Sequence, residues 1–150
     1  MFFSFNAEVV KQQSDETVPY PEGYRSWKHV KSGYIGPQSK GFKLFGGLHH
    51  IYANELGMQG YTKGVFPEGS VFVFDVFSTK GANGSFDEDF RTVIDVMVKD
   101  SVKYANTNGW GFERFKGNSK TDRVLNAMFR TTCVNCHLKE KDFVKSEYRN

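Results

Sequence analysis

The chain has little cysteine, no long apolar run and no cluster of one charge. Its 150 residues include two cysteines, so a fold built on several disulfides is excluded. No stretch approaches the roughly 20 apolar residues of a transmembrane helix, and we expect no membrane span. Lys and Arg exceed Asp and Glu by only 20 − 17 = 3, with both signs scattered along the chain, so we do not expect a nucleic acid partner.

The amino terminus lacks the features of a secretory signal. The segment MFFSFNAEVV has no basic n-region, few apolar residues and an early acidic residue, Glu8. No repeat, low-complexity segment or Pro/Gly linker divides the chain, so we predict a single domain. A domain of this length does not need a metal or a disulfide in order to fold, and any cofactor is therefore expected to be functional.

Aromatic residues are abundant, and they occur in short runs that predict strands. The sequence contains 15 Phe, 7 Tyr and 2 Trp, which is more than an ordinary core requires and would suit the walls of a large apolar pocket. Strands are predicted in GLHHIYAN, GSVFVFDVFS, FRTVIDVMVKD and WGFERF. In the third, alternation places Asp95 and Met97 on one face and Ile94 and Val96 on the other.

Helices are predicted towards both ends of the chain. The segment PYPEGYRSWKHVKSG predicts a loop and then a short helix between Gly23 and Gly33. From Thr121, a predicted N-cap, apolar residues recur at helical spacing and predict a terminal helix that carries both cysteines. The elements together predict an α+β fold, in which an antiparallel sheet is flanked by helices.

The most specific feature is the segment CVNCH near the carboxyl end. Cys133, Cys136 and His137 match the c-type haem attachment pattern, in which two thiols add to the haem vinyl groups and the histidine ligates the iron. A zinc site, a disulfide and a thioredoxin-like redox pair are the alternatives. The other histidines have no zinc spacing to the motif, a disulfide leaves His137 unexplained, and a redox pair is expected just after a strand. We therefore predict one covalently bound haem c.

The position of the motif narrows the class of haem protein. Covalent haem attachment belongs outside the bacterial cytoplasm, so we expect a periplasmic protein whose signal peptide is absent from this numbering. Small electron-transfer cytochromes c carry the motif near the amino terminus and a later Met ligand, whereas here only 13 residues follow His137 and none is Met. A late motif resembles the cytochromes c′, but their common fold is a four-helix bundle, which the strand-like runs argue against.

Five segments carry a more specific resemblance. YRSWKHV, GLHHIYAN, GSVFVFDV, VKDSVKYANTNGWGFERF and CVNCH occur in the order and approximate spacing of the cytochrome P-460 family and its relative, cytochrome c′-beta, over about residues 20–140. The resemblance implies one domain over residues 1–150, with residues 1–19 as an N-terminal extension. It also implies a periplasmic homodimer and a c-haem with one histidine ligand and an open distal face.

One position separates the two branches of this family. Cytochrome P-460 proteins carry a haem-crosslinking lysine on a V-x-V-K-E strand, and the corresponding VFVFDV places Phe74 at the lysine and Asp75 at the glutamate. Lys63 and Lys80 are near in sequence but outside the matching motif. The cytochrome c′-beta branch has two distal phenylalanines, and Phe74 and Phe45 fit these positions, although both could be ordinary core aromatics.

Two polar residues complete the candidate site by resemblance. His49 falls where cytochrome P-460 proteins tend to have a distal arginine, although a strand-edge or dimer-contact role is an alternative. Asp95 falls near their distal carboxylate, and it interrupts an apolar strand face where an unpaired carboxylate is costly.

These features predict a five-coordinate haem that binds nitric oxide, carbon monoxide and similar gases, without catalytic residues of its own. One alternative is an oxidoreductase of the cytochrome P-460 type that acts on hydroxylamine or nitric oxide. Another is an electron carrier with a periplasmic redox partner, in which Met58, Met97 or a free histidine closes the sixth site.

Overall fold

The computed structural model describes residues 17–150, and its centre is a five-stranded antiparallel sheet. Sequential strands pair with one another, which gives the order β1-β2-β3-β4-β5. Antiparallel neighbours of this kind need only short connections. The strands are β1 (Lys28–Ile35), β2 (Gly47–Ala53), β3 (Val71–Lys80), β4 (Asp87–Lys99) and β5 (Trp110–Lys116).

In the described part of the chain, three α-helices flank the sheet: α1 (Phe42–Phe45), α2 (Glu55–Lys63) and α3 (Ala127–His137). Short 3-10 turns occupy Tyr24–Ser26, Ala105–Thr107 and Lys141–Phe143. Two of the helices begin at asparagine caps: the Asn54 side chain accepts from the Gly57 N–H, and the Asn126 side chain accepts from the Phe129 N–H, both at 2.9 Å. Within residues 17–150 no helix is long and apolar enough to cross a membrane.

The predicted α+β class is confirmed, and the terminal helix carries both cysteines. The helix predicted between Gly23 and Gly33 is wrong, because after one 3-10 turn the chain pairs with β2 as the edge strand β1. Sheet pairing overrides local propensity there. Neither α1 nor α2 was predicted from the sequence.

The predicted N-cap at Thr121 is also wrong, because α3 begins at Asn126. The preceding residues remain paired with β5: Arg123 forms a bridge with Phe115, and the Val124 N–H donates to the Arg114 carbonyl at 2.9 Å. Because these residues are extended and paired with β5, α3 starts further along the chain than predicted.

Of the predicted N-terminal extension, residues 1–16 lie outside the described residues. The remainder is packed against the domain. Val18 is fully buried, and its carbonyl accepts a hydrogen bond of 2.6 Å from Arg123.

The sheet separates two apolar clusters. The first lies between the sheet, α2, α3 and the chain after α3, and the second covers the opposite face together with the segment that precedes β1. Alternating side chains along each strand explain this division. The first cluster contains Val30, Ala53, Phe66, Phe72, Met97, Trp110, Phe112 and Phe143. The second contains Val18, Tyr24, Val73, Ile94, Val96, Tyr104 and Phe115.

Candidate functional site

A cavity of about 540 Å³ lies between one face of the sheet and α3. Its volume falls within the roughly 300–1,000 Å³ that is usual for cofactor and small-molecule sites. The structure brings all of the sequence-predicted site residues to its wall, although they come from five different elements. These residues are Phe45, His49, Phe74, Asp95, Cys133, Cys136 and His137.

The proximal part of the cavity is built by α3 and the turn that follows it. The His137 Nδ1–H donates to the Phe143 carbonyl at 2.6 Å, and since a carbonyl can only accept, Nδ1 carries the proton. The lone pair is therefore on Nε2. Burial lowers the pKa of His137, against the opposing effect of the Phe143 hydrogen bond, so the ring is held in the neutral form that ligates metals.

The two thiols of the motif have different surroundings, and no disulfide joins them. Cys133 is half-buried, and burial together with the charge of Asp95 raises its pKa to about 11. Cys136 is exposed, and its sulfur accepts a hydrogen bond of 3.0 Å from the Lys145 ammonium. Lys145 also lines the cavity, which the sequence analysis did not anticipate.

The opposite wall is a row of side chains that crosses the sheet. Ile51 pairs with Phe74, Phe74 with Asp95, and Asp95 with Arg114 in the registers of β2 to β5. Register partners on adjacent strands share a face, and all four residues line the cavity. Phe45 from α1 contacts this row edge to face, with its ring centroid 5.9 Å from that of Phe74.

Asp95 and Arg114 form a two-pronged ion pair within this row. The guanidinium Nε and Nη2 donate to the two carboxylate oxygens at 2.5 and 2.6 Å, and the Arg114 side chain lies 5.0 Å from the Phe45 ring centroid. Burial raises the pKa of Asp95, and the hydrogen bonds and charge of Arg114 oppose that rise. Arg114 was not predicted from the sequence. The available signal was that a buried carboxylate such as Asp95 requires a positively charged partner.

His49 is the other polar residue of this wall. Its ring stacks on Phe74 with centroids 4.4 Å apart, and only 9% of the residue is exposed. A Cβ at Gly33 would lie 2.7 Å from the His49 ring, so the glycine of β1 leaves the space that the ring occupies. The pKa of His49 is lowered to about 4, mainly by burial and to a smaller extent by the charges of His50 and Lys31. Its Nδ1 is buried and has no hydrogen-bond partner among residues 17–150.

Asp75, the neighbour of Phe74, points to the other face of the sheet. It is fully buried and accepts from the Tyr24 hydroxyl at 2.7 Å and from Arg91 at 2.6 and 3.0 Å. This carboxylate therefore stabilises the second apolar cluster and does not line the cavity.

Other residues considered as iron or haem ligands are distributed differently. Met97 lines the cavity, whereas His29 and His50 do not. These two histidines form hydrogen bonds with the Ser32 hydroxyl, of 2.8 and 2.7 Å respectively. Met58 packs at the edge of the first apolar cluster. Among residues 17–150, no group of three or more His, Cys, Asp and Glu side chains is arranged to hold a metal ion, as a zinc site would require.

The two lysines considered for a haem crosslink both lie outside the cavity wall. Lys63 donates to Gln59 at 3.3 Å within α2. Lys80 forms an exposed ion pair of 3.8 Å with Asp89.

The residues present fit a haem. The two thiols of the motif and the His137 imidazole, whose Nδ1 carries the proton and Nε2 the lone pair, meet at one cavity whose other walls are largely aromatic and aliphatic. Comparison with known families agrees with this geometry, because the sequence model of the family described as Cytochrome P460 matches residues 21–146, well over half of the chain. The search of curated proteins gave no significant match.

Proposed function

Because the chain belongs to the cytochrome P460 family, and is therefore a haem-binding cytochrome, we propose that it binds diatomic gases, nitric oxide above all. One haem c is held by thioethers at Cys133 and Cys136, with His137 as the proximal ligand. The bound haem supplies an iron whose open position accepts the gas. In this proposal the chain is of the cytochrome c′-beta type, with Phe74 in place of the crosslinking lysine.

The observation that carries the proposal is the composition of the sheet wall. Phe45 and Phe74 present aromatic rings to the cavity, and these offer a ligand neither a proton nor a lone pair. The carboxylate of Asp95 has both oxygens engaged by Arg114. Such a wall excludes water and suits small apolar ligands.

Oxidation of hydroxylamine makes a different demand, because protons must leave the substrate. A general base works best when its pKa is near the working pH. His49, with a pKa of about 4, is a weak base at neutral pH, and Asp95 is paired. The oxidoreductase alternative keeps some support from these two polar residues, and the electron-carrier alternative from Met97, because all three line the cavity.

The proposal also places the protein in the periplasm, as a homodimer. A periplasmic redox partner belongs to the electron-carrier alternative. Covalent haem attachment outside the bacterial cytoplasm supports the location. The dimer follows from the family resemblance alone.

The proposal is tested on the purified holoprotein. We expect the ferrous spectrum of a high-spin five-coordinate haem, saturable binding of nitric oxide and carbon monoxide, and negligible turnover of hydroxylamine. A low-spin six-coordinate ferrous spectrum would favour the electron carrier, and substantial hydroxylamine oxidation would favour the enzyme.

A further inference from the structure

The turn that follows α3 has an unusual backbone. Asp142 has φ 44° and ψ 42°, and Phe143 has φ 64°, so two consecutive residues other than glycine adopt the left-handed conformation. This conformation is unfavourable for residues with a Cβ, and most of all for a bulky one such as phenylalanine. It persists only where the surrounding structure holds it in place.

The Asp142 carboxylate supplies the contacts that hold this turn. Oδ1 accepts from the Lys99 ammonium at 2.6 Å and from the Trp110 indole N–H at 3.4 Å. Oδ2 accepts from the backbone N–H of Phe66 at 2.8 Å. The turn is thereby tied to the end of β4, to the start of β5 and to the segment between α2 and β3.

The ion pair between Lys99 and Asp142 is shielded from water. The two side chains are only 12% and 17% exposed, and the Lys99 ammonium lies 4.9 Å from the centroid of the Trp110 ring. Charged hydrogen bonds in such surroundings are stronger than those on an open surface. Phe143 itself is buried in the first apolar cluster. The two left-handed residues are therefore both held in place, Asp142 by its hydrogen bonds and Phe143 by apolar packing.

The held turn has one visible consequence for the candidate site. It directs the Phe143 carbonyl at the His137 Nδ1–H, 2.6 Å away. A metal-bound histidine whose other ring nitrogen donates to a carbonyl has a fixed tautomer and ring orientation and is a more basic ligand.

We propose that Lys99 and Asp142 are positioning residues for the proximal histidine: their ion pair holds the left-handed turn that aims the Phe143 carbonyl at His137. This inference rests on the proposed role of His137 as the iron ligand. Neither Lys99 nor Asp142 lines the cavity, so they act through the turn and not by contact with the haem. The pair sets the strength of the proximal bond, and through it the affinity of the iron for gases.

The test uses the holoprotein and the iron–histidine stretching band in the resonance Raman spectrum of the ferrous form. Asp142→Gly removes the carboxylate while allowing the left-handed backbone. Lys99→Met removes the ammonium group that pairs with this carboxylate. We expect the band to shift to lower frequency and to broaden in both variants. Lys99→Arg should retain the wild-type band, because it keeps a positive charge beside the Asp142 carboxylate.

The matched control is Lys80→Met, which breaks the exposed pair with Asp89 and should leave the band unchanged. An unchanged band in Lys99→Met with haem attached would overturn the proposal, whether or not Asp142→Gly folds. Failure of the proposed function is separate from this, because it would appear in the wild-type protein itself, as missing haem, a low-spin six-coordinate ferrous spectrum or substantial hydroxylamine oxidation.

Discussion

Phe74 on β3 and Asp95 on β4 are register partners, and their side chains enter the same cavity from neighbouring strands. One is an aromatic ring that also contacts Phe45 and His49, and the other is a carboxylate bound by Arg114. This wall of the cavity therefore combines apolar rings with a carboxylate whose charge is paired. Under the proposed function, substitutions along this wall should separate gas binding from hydroxylamine oxidation.

Covalent attachment is the first expectation. The purified protein should keep one haem through denaturation, so its intact mass should exceed the apoprotein mass by that of one haem. Cys133→Ala and Cys136→Ala should each retain haem less firmly, because one thioether replaces two. An unchanged mass in the wild type, or a zinc adduct, would contradict the assignment.

Truncation of Phe74 should open the distal side of the pocket. Phe74→Ala is expected to speed association of nitric oxide and carbon monoxide, measured by stopped flow, because the ring no longer restricts entry. A fully buried Phe→Ala change costs about 3–5 kcal/mol, and for the half-buried Phe74 we expect about 2 kcal/mol.

Phe77→Ala is the matched control for Phe74→Ala. Phe77 is buried and lies on the same strand, but it does not line the cavity. It should lower stability without changing the association rates. Equal rates in wild type and Phe74→Ala would show that Phe74 is a core residue only.

Removal of Arg114 should expose the charge of Asp95. Arg114→Gln leaves a largely buried carboxylate without its partner, and we expect a loss of about 3 kcal/mol in the free energy of unfolding. The double variant Asp95→Asn/Arg114→Gln should recover part of this loss, because no uncompensated charge remains. Denaturant melts of Arg114→Gln, Asp95→Asn and the double variant measure the coupling energy between the two side chains.

The same pair offers a functional test. If Arg114 keeps Asp95 from acting as a base, Arg114→Gln should show more hydroxylamine oxidation than wild type, and the double variant should not. Equal turnover in all three proteins would argue against a silencing role of Arg114.

His49 should make stability depend on pH. Its pKa is about 4 in the folded protein and about 6.5 when exposed, so between these values the unfolded state binds more protons. The free energy of unfolding should therefore fall as the pH decreases from about 6.5 to about 4, by up to about 3 kcal/mol. His49→Phe, which keeps an aromatic ring on Phe74, should lose this part of the slope, and denaturant melts across the interval measure it. A slope equal to that of the wild type would contradict the prediction.

The sequence was most informative where function depends on local spacing. Cys133, Cys136 and His137 lie within one helical turn of one another, so any helix that carries them presents them together. Alternation along β4 likewise placed Asp95 and Met97 on one face of the strand, and in the structure both line the cavity. Where neighbouring strands compete with local propensity, as at β1 and before Asn126, the predictions were wrong.

By itself, then, the sequence determined the α+β class and the motif that points to haem, because these follow from short-range periodicity and residue spacing. The family followed from the resemblance of five segments in their order along the chain. Only the tertiary structure decided which groups surround that motif. Arg114 meets Asp95 across 19 residues, and Lys99 meets Asp142 across 43. Such contacts depend on strand register and on how the chain closes over the sheet, which no local pattern encodes.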